Sequence, residues 1–234
     1  MIKYNERMIH RLNIDKEDII GYGKLKEFNK IYHINIEDIK IKDLTIIQKY
    51  LGNKALENLC EIGFKKLIIL NLSYADLSDI NALEKLNSKE LEVLELRWNK
   101  ISDINVLERV NFKKLNKLYL IHNKISDINI LEKVNFKELK ELDLGENVIS
   151  DINVLEKVNF KELNRLDLGE NVISDINILE KVNFKELKEL KLGDNVISDI
   201  NIFEKVNFKE LKILDLTENK ISNLKMLDKL NLKN

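Results

Sequence analysis

Residues 139–162 read LKELDLGENVISDINVLEKVNFKE, and residues 163–186 repeat them almost letter for letter as LNRLDLGENVISDINILEKVNFKE. The period is 24 residues. Phenylalanine marks it along most of the chain, with Ser88 at the one vacant position of the grid: Phe64, Phe112, Phe136, Phe160, Phe184 and Phe208. Self-similarity at a fixed period of this length predicts a solenoid, in which each unit buries its apolar side chains against its neighbours.

Each unit follows the pattern L-x-x-L-x-L-x-x-N-x-I-S-D-I-x-x-L-x-x-V-x-F-x-x. In L-x-L the leucines point to one side of an extended segment and the residue between them points to the other, so each unit predicts one short strand. Seven such strands would stack in parallel, about 4.8 Å apart. The later I-x-x-L-x-x-V spacing predicts a short helical segment on the outer side.

This pattern resembles the leucine-rich repeat family, in particular the I-S-D-I units of internalins and of related phosphatase-regulating proteins. The resemblance covers residues 56–234. It implies an α/β fold: a leucine-rich repeat solenoid with a concave parallel sheet and short helical segments on the convex side. It also implies a protein that binds other proteins.

Two polar positions are predicted to hold the repeats together. An asparagine after each strand is expected to satisfy backbone groups of the turn, as at Asn99, Asn123, Asn147, Asn171, Asn195 and Asn219. The first repeat has Ala75 there, which predicts a less well held turn. An aspartate before each helical segment is predicted to cap it, as at Asp79, Asp103, Asp127, Asp151, Asp175 and Asp199, with Asn223 in the last repeat.

The two ends of the chain depart from the period. Residues 56–64 look like the second half of a repeat without its strand, so the solenoid is predicted to begin there with a half repeat and to continue to residue 234. Residues 1–55 are predicted to form a helical N-terminal cap, with a helix from Leu44 to Leu51 between a capping Asp43 and a terminating Gly52. The final repeat is predicted to be unfinished, with uncovered leucines at Leu224, Leu227, Leu230 and Leu232.

Composition excludes several classes of function. The formal net charge is -1, so there is no overall field to attract nucleic acid or a membrane surface. A single cysteine, Cys60, and a charged N-terminus predict a cytosolic chain, and no apolar run is long enough to span a membrane. The histidines and Cys60 are scattered and form no recognisable catalytic or metal-binding pattern, so we expect a non-enzymatic protein without a cofactor.

The unbroken period lets equivalent residues be compared as columns, and the columns on the inner side change character along the chain. The first half is aromatic and basic, and the second half is acidic. The predicted partner-binding residues are Tyr74, Arg97, Trp98, Tyr119, Ile121 and His122 in the first half and Asp143, Glu146, Asp167 and Glu170 in the second. Aromatic and arginine side chains dominate interface energetics, and the acids would attract a basic protein or peptide.

Three questions stay open at this stage. Trp98 is either a recognition anchor or a cover for the first repeat, where Ala75 replaces the asparagine. The acidic half either attracts a basic partner or was inherited by duplication and is screened by solvent. For the whole chain, the hypothesis of a concave binding module competes with that of a structural array that self-associates through its open C-terminal end.

Overall fold

A computed structural model describes residues 43–45, 52–62 and 66–223. In these ranges eight parallel strands form one open sheet in chain order. They are β1 (Asp43–Thr45), β2 (Ile69–Asn71), β3 (Val93–Glu95), β4 (Lys117–Tyr119), β5 (Glu141–Asp143), β6 (Arg165–Asp167), β7 (Glu189–Lys191) and β8 (Ile213–Asp215). The predicted fold class, a leucine-rich repeat solenoid, is confirmed.

Each strand has three residues. In β2 to β7 the middle residue is a leucine with no exposed surface, whereas the first and third residues face the concave side. β2 to β8 are in register at the 24-residue period, so that Leu94 pairs with Leu118 and Leu118 with Leu142. The register aligns equivalent side chains into columns across the sheet.

The convex side carries 3-10 helices in place of longer α-helices. They are Asn81–Lys85, Asn105–Glu108, Asn129–Glu132, Asn153–Glu156, Asn177–Glu180 and Asn201–Glu204. The predicted aspartates stand at their starts, and each accepts a hydrogen bond from the backbone N–H of the first helical residue, at 2.7 to 2.9 Å. The N-cap position itself is the isoleucine between them, so the aspartate acts one residue earlier than a usual N-cap side chain.

One hydrophobic cluster runs between the sheet and the convex side. Phe112, Phe136 and Phe160 are almost fully buried in it, and Ser88 is buried at the vacant grid position. The asparagines that follow the strands, from Asn99 to Asn219, bond neighbouring repeats to one another, and we call them the asparagine ladder. In each step the amide donates to carbonyls of its own turn and of the preceding repeat and accepts an N–H from the preceding repeat. The predicted role of the asparagines is therefore confirmed.

The prediction for the start of the solenoid is wrong at residues 43–45. Asp43–Thr45 forms β1, which pairs with β2, and is not the start of a helix. Gly52 begins α1 (Gly52–Ile62), with a left-handed φ of 72° and its N–H bonded to the carbonyl of Ala75. Residues 46–51, which the predicted helix also covers, lie outside the described residues. Leu44 fits a helical spacing in the sequence, but pairing with β2 decides the conformation of residues 43–45.

The half repeat thus has a strand. β1 does not fit the 24-residue period, because it precedes β2 by two residues more than the 24 that separate the other strands. α1 spans the boundary predicted between residues 55 and 56. The rest of the predicted N-terminal cap lies outside the described residues, as does the C-terminal end from residue 224. No helix in the described ranges is long and apolar enough to cross a membrane.

Candidate functional site

A single backbone conformation organises the edge of the concave face. The third residue after each of the strands β2 to β8 has a φ between 49° and 60°, in the left-handed region. We call these residues the rim column: Tyr74, Trp98, His122, Glu146, Glu170, Asp194 and Glu218. This conformation costs a non-glycine residue roughly 1 kcal/mol, yet the rim column contains no glycine. Because all seven repeats share it, the conformation belongs to the turn, and only the side chains distinguish one repeat from another.

The N-terminal half of the rim column is an aromatic stack of Tyr74, Trp98 and His122. The rings of Tyr74 and Trp98 are 5.5 Å apart between centroids and inclined by 13°. The rings of Trp98 and His122 are 3.6 Å apart and inclined by 23°. The spacing of parallel strands, about 4.8 Å, matches the separation that stacked rings require. Trp98 remains 40% exposed and Tyr74 56% exposed.

His122 links the two halves of the rim column. Its Nδ1 lies 2.6 Å from Oε2 of Glu146, while its ring stacks on Trp98. The aromatic stack and the first acidic side chain are therefore one continuous surface. Ile121, next to His122, is half-buried beside it.

Tyr119 and Arg97 lie deeper than the sequence predicts for contact residues. Tyr119 is 7% exposed because the guanidinium of Arg97 covers its ring, with the Arg97 Cζ 4.0 Å from the ring centroid. The Tyr119 hydroxyl donates a 2.6 Å hydrogen bond to Glu141. Burial and this hydrogen bond raise the pKa of the Tyr119 hydroxyl. Tyr119 therefore lies beneath Arg97, and a partner would contact Arg97 and not the Tyr119 ring.

Asp143 and Asp167 are likewise buried and do not form an open acidic surface. The Asp143 carboxylate accepts a hydrogen bond from the N–H of Gly145, and burial followed by the charge of Asp167 raises the pKa of Asp143. Asp167 is paired with Arg165 at 3.2 Å and with Lys191 at 3.5 Å. Basic side chains of this chain therefore already compensate Asp167.

On the concave side, the exposed acidic side chains are those of the rim column that follow Glu146. Glu170, Asp194 and Glu218 are exposed and make no ion pair or hydrogen bond to another side chain in the described ranges. Partial burial, then the charges of Glu146 and Asp194, raise the pKa of Glu170. We call Glu170, Asp194 and Glu218 the rim acids.

Sequence reasoning missed an apolar row beside the acidic part of the rim. Val148 and Val172, two residues after Glu146 and Glu170, are 52% and 48% exposed, and Val196 is half-buried in the next repeat. The signal was present in the sequence, because the same column holds lysine at Lys100, Lys124 and Lys220. The column changes from basic to apolar where the rim changes from aromatic to acidic.

Charge is unevenly divided between the two faces. The concave columns begin at Ile69, Asn71, Ser73 and Tyr74 and recur every 24 residues to Glu218. They hold ten carboxylates and four basic side chains, a formal charge of −6, whereas the whole chain carries -1. On the convex side, acids pair with bases of the next repeat, as Glu84 does with Arg109 at 2.7 Å. No group of three or more histidine, cysteine or acidic residues in the described part of the chain is placed to hold a metal ion.

Known proteins share this architecture. Residues 113–157 match the family profile described as Leucine Rich repeats (2 copies). No curated protein is similar to the chain in sequence. An internalin, InlF, from Listeria monocytogenes is 26% identical with a TM-score of 0.67, over 86% of this chain and 62% of its own. This chain thus spans less than two thirds of the length of that internalin.

Two further structures extend the comparison. Internalin C2 from Listeria monocytogenes is 25% identical with a TM-score of 0.67, over 83% of this chain and 78% of its own. The Arabidopsis receptor kinase HAESA, solved in complex with the peptide hormone IDA and the co-receptor SERK1, is 22% identical with a TM-score of 0.59, over 78% of this chain and 31% of its own. The 24-residue repeats and the open parallel sheet form a leucine-rich repeat fold, which is similar to that of the two internalins, and residues 113–157 match the profile of that family.

Proposed function

We propose that the chain is a non-enzymatic binding module that holds a protein or peptide partner on its concave face and rim column. Leucine-rich repeat domains generally mediate protein–protein interaction, and the solved HAESA structure contains a peptide hormone and a co-receptor. The observation that carries the proposal is the exposed aromatic stack. Tryptophan and tyrosine at this exposure are typical of interface anchors.

The packing around Trp98 favours the anchor over a cover for the first repeat. The backbone N–H of Ala75 donates a 3.1 Å hydrogen bond to Oδ1 of Asn99, so it does not need the indole of Trp98 to cover it. Trp98 instead contacts the rings of Tyr74 and His122, which are themselves exposed. Other repeats fold with glutamate at the same position and the same φ, as Glu146 and Glu170 show.

The substitution Trp98→Glu tests the anchor. Peptides would first be selected from a displayed random library on the folded full chain, and their affinities then compared between variants. We expect Trp98→Glu to weaken binding by about 2 kcal/mol, roughly 30-fold. The loss of two ring stacks lowers the free energy of unfolding by about 1 to 3 kcal/mol, so binding is measured far below the unfolding transition.

Asn153→Glu is the control, because it also places a glutamate at an exposed uncharged position, in the 3-10 helix Asn153–Glu156 of the convex side. We expect it to leave affinity within about twofold of the original, as for surface changes outside a contact. A Trp98→Glu variant that loses stability but keeps full affinity would identify Trp98 as a structural element and would refute the anchor.

The alternative function, self-association through the C-terminal end, has one described observation in its favour. Leu214 in β8 and Leu216 after it are only partly buried, whereas their equivalents in β2 to β7 are fully buried. The leucines from Leu224 onward, on which this prediction rests, lie outside the described residues. Light scattering after size exclusion over a hundredfold range of protein concentration would show the dimer or polymer that this alternative requires.

A further inference from the structure

We infer that the rim of this chain is built for an extended basic segment, with an apolar side chain at the aromatic stack and lysine or arginine at the fourth and sixth residues from it. This inference rests on the proposed function and specifies the class of partner that the same surface accepts. It is carried by the exposed surface of the rim, by its spacing and by its charge.

The exposed surface has two parts with different chemistry. At Trp98 it is aromatic, with Tyr74 and the half-buried Ile121 adjoining. At Glu170 and Asp194 it combines carboxylates that have no ion-pair partner in the described ranges with the exposed valine row. Lysine and arginine have an apolar stem and a charged end, and they match a surface that offers methyl groups beside carboxylates. An apolar anchor suits the first part only.

The spacing of the strands sets the spacing of the ligand. Glu170 stands three strands from Trp98 and Asp194 stands four, which at about 4.8 Å per strand places them about 14 and 19 Å away. An extended chain advances about 3.3 Å per residue, so four residues cover about 13 Å and six cover about 20 Å. Both separations are even, and alternate side chains of an extended segment point to the same side. The anchor and both basic residues therefore face the rim together.

Charge complementarity selects a basic occupant. The concave columns carry −6 while the whole chain carries -1, so the field over this face attracts cations although the molecule is nearly neutral. Within the face, the basic side chains Arg165 and Lys191 are already engaged with Asp167 and Glu189. Among the described residues, the rim acids are exposed carboxylates of this face without an ion-pair partner, and they are available to a partner.

Fluorescence anisotropy with labelled synthetic peptides tests the inference on the full chain. The probe has one leucine and two lysines at the fourth and sixth residues from it, in a background of glycine, serine and glutamine, and is made in both chain directions. One control peptide shifts both lysines by one residue, and another replaces them with glutamate. The protein variants are Glu170→Gln with Asp194→Asn, Trp98→Glu, and the convex control Glu132→Gln with Glu156→Gln.

We expect the probe to bind the unmodified chain and the convex control equally, although the control also removes two carboxylates. The rim double variant should lose roughly tenfold in affinity, which corresponds to two exposed ion pairs, and should depend less on salt. The shifted peptide should bind more weakly than the probe, and the glutamate peptide should not bind measurably.

The outcomes separate this inference from the proposed function. If Trp98→Glu abolishes binding while the rim double variant binds as well as the unmodified chain, the binding module stands and the basic segment is refuted. Equal affinity for the probe and the shifted peptide refutes the extended geometry. If peptides selected on the folded chain bind both variants unchanged, the concave rim is not the binding surface and the proposed function fails as well.

Discussion

Replacing Asn147 with alanine tests the asparagine ladder that positions the rim. The buried side chain of Asn147 donates to the carbonyls of Leu120, Leu144 and Gly145 at 2.9 to 3.1 Å, and its Oδ1 accepts the N–H of Ile125 at 3.0 Å. Each of the three carbonyls keeps another donor, from a neighbouring ladder asparagine or a backbone N–H. The N–H of Ile125 makes no other hydrogen bond to the residues that the structure describes.

The magnitude follows from this inventory. Leaving one buried N–H without a partner costs about 1 to 3 kcal/mol, and three secondary hydrogen bonds to carbonyls that stay satisfied add about 1 kcal/mol in total. We therefore expect Asn147→Ala to lower the free energy of unfolding by about 3 kcal/mol. Asn219→Ala is the matched control: it removes the same kinds of contact in a half-buried turn, where water replaces them, and should cost about 1 kcal/mol.

Urea unfolding followed by both circular dichroism and fluorescence measures these losses. Trp98 is the only tryptophan and reports on the N-terminal half of the solenoid, while circular dichroism averages the whole chain. A repeat protein weakened at one interface can lose cooperativity between its halves, so the two transitions should separate in Asn147→Ala. A loss below about 1 kcal/mol, or one equal to that of Asn219→Ala, would refute the reasoning.

Three further changes have defined outcomes. Asp143→Asn keeps an oxygen that can accept the N–H of Gly145. Burial raises the pKa of Asp143, so the folded state binds the proton more tightly than the unfolded state does. The stability of the original chain therefore falls as pH rises through that pKa. Thermal unfolding should show the variant more stable than the original at pH 7, with a difference that shrinks toward acid pH; the same difference at every pH would contradict this. Tyr119→Phe removes the hydroxyl that binds Glu141 and should cost about 1 to 2 kcal/mol in urea unfolding without changing peptide affinity. Glu218→Gly relieves a φ of 50° and should stabilise the chain by up to about 1 kcal/mol, whereas a loss would show that the left-handed turn is not strained.

The strongly periodic part of the chain was predictable because its structure repeats the same local solution. Leucine at alternate positions, asparagine after the strand and aspartate before the helical turn each have one role in every repeat, and the register follows from an unbroken period. The sequence therefore determined the strands β2 to β8, the ladder and which residues share a column. It also placed Trp98 on an exposed column, because Glu146 and Glu170 occupy equivalent positions.

The tertiary structure alone decided depth and pairing. Alternation along a strand tells which side a residue faces but not how far its neighbours cover it, so the burial of Tyr119 under Arg97 and of Asp167 between Arg165 and Lys191 was not predictable. β1 is a strand because it pairs with the edge of β2, although Leu44 fits a helical spacing in the sequence. Neighbouring repeats lie within about 5 Å of one another. At that distance the side chains of one repeat determine which side chains of the next are left for a partner.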